Sequence, residues 1–165
     1  MIFLMNDWYW GRAKIGDYVV VSSYIYANSK CKHQPTPVFM IAKDGKIIAD
    51  DAYNCLTYKE SDFKKDSYTK RYVAHTLVYD YNDKENNVHY RITYKKGNED
   101  VERHNMKDIV GGIPAVFCYL MGFRGSYHRM SGKVILEKLE DGNVVESVES
   151  FAMWEQMCFG KDRIK

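Results

Sequence analysis

The chain is short of the residue patterns that announce common chemistries. Its cysteines stand at 31, 55, 118 and 158, and no pair has the Cys-x-x-Cys spacing that a structural zinc needs. The histidines, at 33, 75, 89, 104 and 128, show neither His-x-His nor His-Glu-x-x-His spacing, so no metal centre is legible. A Gly-x-Ser-x-Gly elbow, a P-loop and the dinucleotide-binding glycine fingerprint are all missing, which leaves no cofactor motif. Gly122-Phe123-Arg124-Gly125 reads as a turn, and Cys118 sits in an apolar run with the character of a core thiol. Net charge is only +2, from 24 basic and 22 acidic residues, too little to imply a nucleic-acid partner. Where charges cluster, as in Lys59-Glu60-Ser61-Asp62-Phe63-Lys64-Lys65-Asp66, both signs alternate, the pattern of a solvated loop or face. Met1–Met5 is apolar but has no basic flank and is too short for a secretory core, and no window reaches the length of a membrane span. These absences point to a cytoplasmic protein with reduced thiols.

What the chain has is strand after strand. At 165 residues, 45% of them hydrophobic, it is long enough for one domain with a real core, taken as residues 1–165 with 1–16 as a lead-in segment. Aromatics make up 15%, including 14 tyrosines, which suit strand surfaces and half-polar cavities. Strands are expected at 17–26, at 38–42 and 46–49 around a Lys43-Asp44-Gly45 turn, and at 72–81. Val88, Tyr90, Ile92 and Tyr94 alternate with polar residues, the period of a half-buried strand. Lys96-Gly97-Asn98 reads as a turn, 100–107 as a short edge strand, and 113–121 as a buried strand or short helix. Two long strands, 125–139 and 143–158, flank Asp141-Gly142. With no helical stripe and no repeat, the expected class is all-β: an antiparallel sandwich or barrel, and a closed barrel of about eight strands can enclose one small ligand.

The most specific segment is Asp7-Trp8-Tyr9-Trp10-Gly11-Arg12. Indoles are costly to leave in water, and a glycine beside them lets the backbone bend or another group approach. Asp7 is the candidate general acid, since burial among indoles raises a carboxyl pKa; the competing reading is a structural carboxylate paired with Arg12 or accepting backbone and indole donors. Tyr24 and His128 are the candidates to assist it. Trp8, Trp10, Tyr127 and Trp154 are expected to wall a ligand cavity, with Arg12 and Glu155 as polar anchors; the plainer alternative for Glu155 is an ion pair with Arg12 or Arg129.

These residues carry a resemblance. Asp7-Trp8-Tyr9-Trp10-Gly11-Arg12 with Gly16-Asp17-Tyr18 is similar to the start of the second half of lipocalin-like proteins of the hydroxyneurosporene synthase (carotenoid hydratase) and AttH type. Tyr127-His128-Arg129-Met130-Ser131-Gly132 and Trp154-Glu155-Gln156-Met157-Cys158-Phe159-Gly160 resemble that family's closing strands, and the likeness runs from residue 6 almost to the end. The resemblance implies a calycin-like antiparallel barrel, the second of a pair, which makes this chain the C-terminal half of a truncated two-domain protein. It implies an apolar, isoprenoid- or polyketide-like small molecule, bound with weak modification at most. It equally implies, as alternatives, an active hydratase, lyase or cyclase-type enzyme, or a non-catalytic module that pairs with the missing barrel. The partner would then be a second copy of the chain or a separately encoded N-terminal barrel. In the family the Asp before Trp-Gly is commonly flanked by histidines; here Asn6 and Trp8 stand there, leaving Asp7 as the acid.

Overall fold

The computed structural model describes residues 4–50, 52–105, 108, 111–112, 116 and 125–160. Its strands are β1 (Met5–Ile15), β2 (Tyr18–Ala27), β3 (Pro35–Lys43), β4 (Lys46–Ala49), β5 (Leu56–Lys65), β6 (Tyr72–Asp83), β7 (Val88–Asn105), β8 (Ser126–Glu140) and β9 (Asn143–Cys158), with a short helix, α1 (Ala52–Cys55), and a 3-10 turn at Ser29–Cys31. They form a single antiparallel sheet in the order β4-β3-β2-β1-β9-β8-β7-β6-β5. All neighbours but β1 and β9 are consecutive in sequence, so the sheet is two meanders joined where β1 pairs with β9.

Alternation along each strand sorts side chains to two faces. Tyr9, Ala13 and Ile15 of β1 are buried, as are Tyr79 and Tyr81 of β6, Tyr90, Ile92 and Tyr94 of β7, Met130, Val134 and Leu136 of β8, and Trp154 of β9. Together they make one core. The sheet curls until its outer strands meet through rings. Tyr24 of β2 stacks on Tyr58 of β5, centroids 4.5 Å apart and planes 15° from parallel. Phe39 of β3 stacks on Tyr81 of β6 at 5.3 Å. Tyr58 also meets Tyr9 and Tyr79, at 5.5 and 4.8 Å. The strand ladder ends at β4 and β5, and α1, between them in sequence, lies against β3 and β6. Aromatic contacts, each worth about 0.5–1.5 kcal/mol beyond the area they bury, bring the two halves of the lipocalin-like barrel together.

Several expected elements fall within one or two residues of their observed bounds, and 143–158 matches β9 in full. Asp44-Gly45 and Asp141-Gly142 are hairpin turns with positive φ at both residues. Three segments differ. Residues 1–16 do not merely lead in: Met5–Ile15 is β1, near the centre of the sheet with partners on both sides. The mixed-charge stretch 59–66 is mostly the edge strand β5, in which Lys59, Asp62, Lys64 and Lys65 are exposed while Glu60, opposite the buried Leu77, shares the inward parity of Tyr58. Lys96-Gly97-Asn98 does not turn the chain, and of the edge strand expected at 100–107 the described part, 100–105, is not separate. β7 runs through 96–98 and on to Asn105, and its register against β8 shifts between Lys96 and Asp100. The reason is glycine. A Cβ on Gly132 would lie 2.2 Å from the Lys95 carbonyl oxygen and 2.7 Å from the Gly97 nitrogen, so the two strands close in where no side chain intervenes. The expected element at 113–121, Cys118 and most of the 122–125 turn lie outside the described residues.

Gly11 meets the same kind of constraint from the inside. A Cβ there would stand 2.8 Å from the Tyr94 hydroxyl oxygen and 3.0 Å from Ser22 Oγ, which are themselves hydrogen-bonded at 2.9 Å. The glycine after Trp10 therefore makes room for a tyrosine. Gly11→Ala is expected to cost about 1–3 kcal/mol in urea denaturation, with part of the loss recovered in Gly11→Ala/Tyr94→Phe.

Candidate functional site

The strand alternation divides the sequence-derived candidates between two faces. Trp8, Trp10 and Arg12 of β1, Tyr127 of β8 and Glu155 of β9 share the outer face. Asp7, Tyr24, His128 and Trp154 share the inner one, so the expectation that all three indoles converge inside holds for Trp154, 2% exposed, and not for Trp10, 36% exposed. Trp8 is half-buried because its indole N–H donates to Ser23 Oγ at 3.0 Å and its ring meets Trp10 edge-on at 6.3 Å.

On the outer face, cross-strand pairing builds rows. Glu155 faces Trp10 on one side and Arg129 on the other; Met153 faces Arg12. Tyr127 donates its hydroxyl to Glu155 Oε1 at 2.9 Å, and burial, then that bond, pushes the phenol up to about 12. Between these rows runs an open groove of about 380 Å³, walled by Trp10, Phe151 and Met153, with Arg12, Lys14, Arg129 and Glu155 at its margins. Phe151 is 70% and Met153 47% exposed. The expected Asp7–Arg12 pair does not form across the sheet: Asp7 accepts instead from Asn6 Nδ2 at 2.8 Å.

The inner face is polar at one end. Gln156 reaches from β9 to β6, accepting from Ala74 N at 3.3 Å and donating to Tyr72 O at 3.3 Å. It substitutes for β7, whose ladder with β6 starts only at Thr76. The 66–71 turn folds under this end, and Arg71 donates to the Gly160 carbonyl. Asp66 accepts from Thr69 N, Thr69 Oγ1 and Arg103 Nη1 at 2.6, 2.9 and 2.8 Å, which hold its carboxyl down at about 2 despite partial burial. Thr69 Oγ1 also lies 3.1 Å from His128 Nε2. Its single proton goes to Asp66, so it accepts from His128, which fixes the Nε2–H tautomer. Burial lowers the imidazole pKa and keeps it neutral, with Nδ1 a bare acceptor. Tyr58 OH, Trp154 Nε1 and His128 Nδ1 have no hydrogen-bond partner among the described residues.

Sequence reasoning missed Thr69, Asp66 and Gln156, and the groove walls Phe151 and Met153. The last two were within reach, because parity along 151–155 puts them on the face of Glu155. Asp66-x-x-Thr69 is a turn signature whose distant partner, His128, no local pattern reveals.

No family model matches the chain. A Diels-Alderase of Gibberella fujikuroi (strain CBS 195.34 / IMI 58289 / NRRL A-6831) is 30% identical over 105 residues, which are 61% of this chain and 27% of that protein. CghA, solved with Sch210972, matches the fold with a TM-score of 0.64 at 12% identity, over 96% of this chain and 42% of its own. Kievitone hydratase from Nectria haematococca matches with a TM-score of 0.54 at 7% identity, over 94% of this chain and 40% of its own. An AttH candidate from Nitrosomonas europaea matches at 0.57 and 8% identity, over 96% and 40%. No helix among the described residues is long and apolar enough to cross a membrane.

The inner network makes stability depend on pH. A histidine whose folded pKa lies below its unfolded value of about 6.5 costs stability as pH falls through 6.5. Asp66 contributes stability that is intact above about 3.9 and is lost as pH falls toward 2. His128→Asn is expected to flatten the slope of stability below pH 6.5, and Asp66→Asn to cost about 1–2 kcal/mol near neutrality, both read by urea titration across pH. The chain is thus a lipocalin-like all-β barrel of the kind seen in AttH-type and hydratase structures, with the length of about two fifths of the solved chains it matches.

Proposed function

We propose that this chain supplies one barrel of a longer protein that binds an apolar small molecule against the outer groove and holds it for ring closure. The groove itself is the supporting observation: about 380 Å³ between Trp10, Phe151 and Met153, with Arg12, Lys14, Arg129 and Glu155 as its charged groups. Ligand sites have this volume and this mixture. Being open, it makes one wall, and the part of the relatives' length that this chain does not span would supply the other.

The chemistry favours cyclisation over hydration. A cycloaddition converts π bonds into carbon–carbon σ bonds and moves no proton; it needs a flexible chain held folded against a shaped surface. Three large apolar side chains supply that surface, and Arg12 or Arg129 can donate to a substrate carbonyl and draw electron density from the reacting double bond. Hydration of an alkene needs an acid that protonates carbon. Asp7, the candidate for it, lies on the opposite side of the sheet from Trp8 and Trp10, so acid and indole walls do not face one molecule. The similarity to a Diels-Alderase supports the same choice.

A second reading places the molecule inside the barrel, favoured by the inward polar atoms Tyr58 OH, Trp154 Nε1 and His128 Nδ1. Anilinonaphthalene sulfonate, an aromatic anion, separates the two. On the groove reading it binds saturably, Trp10→Ala and Phe151→Ala each weaken it about tenfold, and Asp7→Asn leaves it unchanged. Equal affinity in the Trp10 and Phe151 variants, with loss in Asp7→Asn, would move the site to the inner face.

A further inference from the structure

The sheet has a second irregularity, on the side away from the groove. β6 and β7 pair from Asp83↔Val88 to Thr76↔Lys95 and then part. Beyond that point β7 bulges against β8, and Tyr72–His75 of β6 have β5 on one side and no β7 ladder on the other. The Gln156 side chain satisfies Tyr72 O and Ala74 N from within, so the parted strands need no further backbone partner to be stable. A cleft of about 430 Å³ opens there, lined by Asp62, Phe63 and Lys64 of β5, His75 and Thr76 of β6, and Lys95 and Lys96 of β7.

Its charges are unbalanced. The Asp62 carboxylate is engaged by Thr76 Oγ1 at 2.6 Å, and Lys96 is held by Asp100 at 3.1 Å. Lys64 and Lys95 make no ion pair among the described residues, and the His75 ring has no hydrogen-bond partner there. We propose that this cleft between the parted strands binds the oxyanion, carboxylate or phosphate, of a small molecule, with Lys64 and Lys95 as its counter-charges and His75 as a hydrogen-bond donor. Lysine ammonium groups suit such a group as mobile point charges.

Histidine 75 reports the field of the cleft. Burial lowers its pKa first; Lys96 and then Lys64 lower it further, against the opposing pull of Asp100 and Asp62. An oxyanion seated among these groups cancels part of the cationic field and raises the His75 pKa. By linkage, binding then tightens as pH falls through the His75 titration.

The test is NMR of the His75 imidazole in the full chain, titrated with inorganic phosphate and with acetate, and with chloride at matched ionic strength. Expected is a saturable shift with phosphate or acetate, absent with chloride, together with a rise in the His75 pKa. Lys64→Gln/Lys95→Gln, two exposed positions whose change leaves the fold intact, should weaken it about tenfold. A response identical to that of chloride, or an affinity unchanged in the double variant, would overturn the proposal. The cleft shares no residue with the outer groove, so either outcome leaves the dye experiment on Trp10 and Phe151 independent.

Discussion

The stack of Tyr24 on Tyr58 is the contact on which the rest depends. Backbone pairing alone yields a sheet with edges at β4 and β5. It is the rings of β2 and β3 lying flat on those of β5 and β6 that curl the sheet into a barrel. Because tyrosines fill the inner face, the chain's larger exposed apolar side chains on β1 and β9, Trp10, Phe151 and Met153, collect outside. The two faces differ accordingly: aromatic packing within, an open apolar groove without.

Polar groups on the inner face then have a structural duty. Gln156 stands in for a missing strand, and the Asp66–Thr69–His128 chain ties the 66–71 turn to β8. A carboxylate at the head of that chain dictates which imidazole nitrogen carries the proton, so the salt bridge from the exposed Arg103 to the largely covered Asp66 is coupled to a buried ring. Burying such a chain is tolerable because each donor meets an acceptor down to His128 Nε2.

Much of this was legible from the residues. The tyrosine-rich strands, the Asp-Gly turns and the long closing hairpin announced an antiparallel sandwich or barrel, and the resemblance chose the barrel and named its kind. Parity along 7–12 was also available, and it separates Asp7, Tyr9 and Gly11 from Trp8, Trp10 and Arg12. Reading the indoles as a unit obscured that separation, since a strand cannot point neighbouring residues the same way. Gly97 could not be told from a turn glycine, because its role depends on Gly132, far away in sequence. The bond from Thr69 to His128 and the reach of Gln156 to β6 were out of range for the same reason: each joins segments more than 50 residues apart.

The sheet separates a dry indole, Trp154, from the more exposed Trp8 and Trp10 on its other face. That separation is tested most directly by tryptophan fluorescence in variants retaining one indole each, with the others replaced by phenylalanine. The Trp154 protein should emit at short wavelength and resist acrylamide, while the Trp10 protein should emit at longer wavelength, be quenched, and respond to a bound aromatic anion. A quenchable Trp154 or a shielded, unresponsive Trp10 would contradict it.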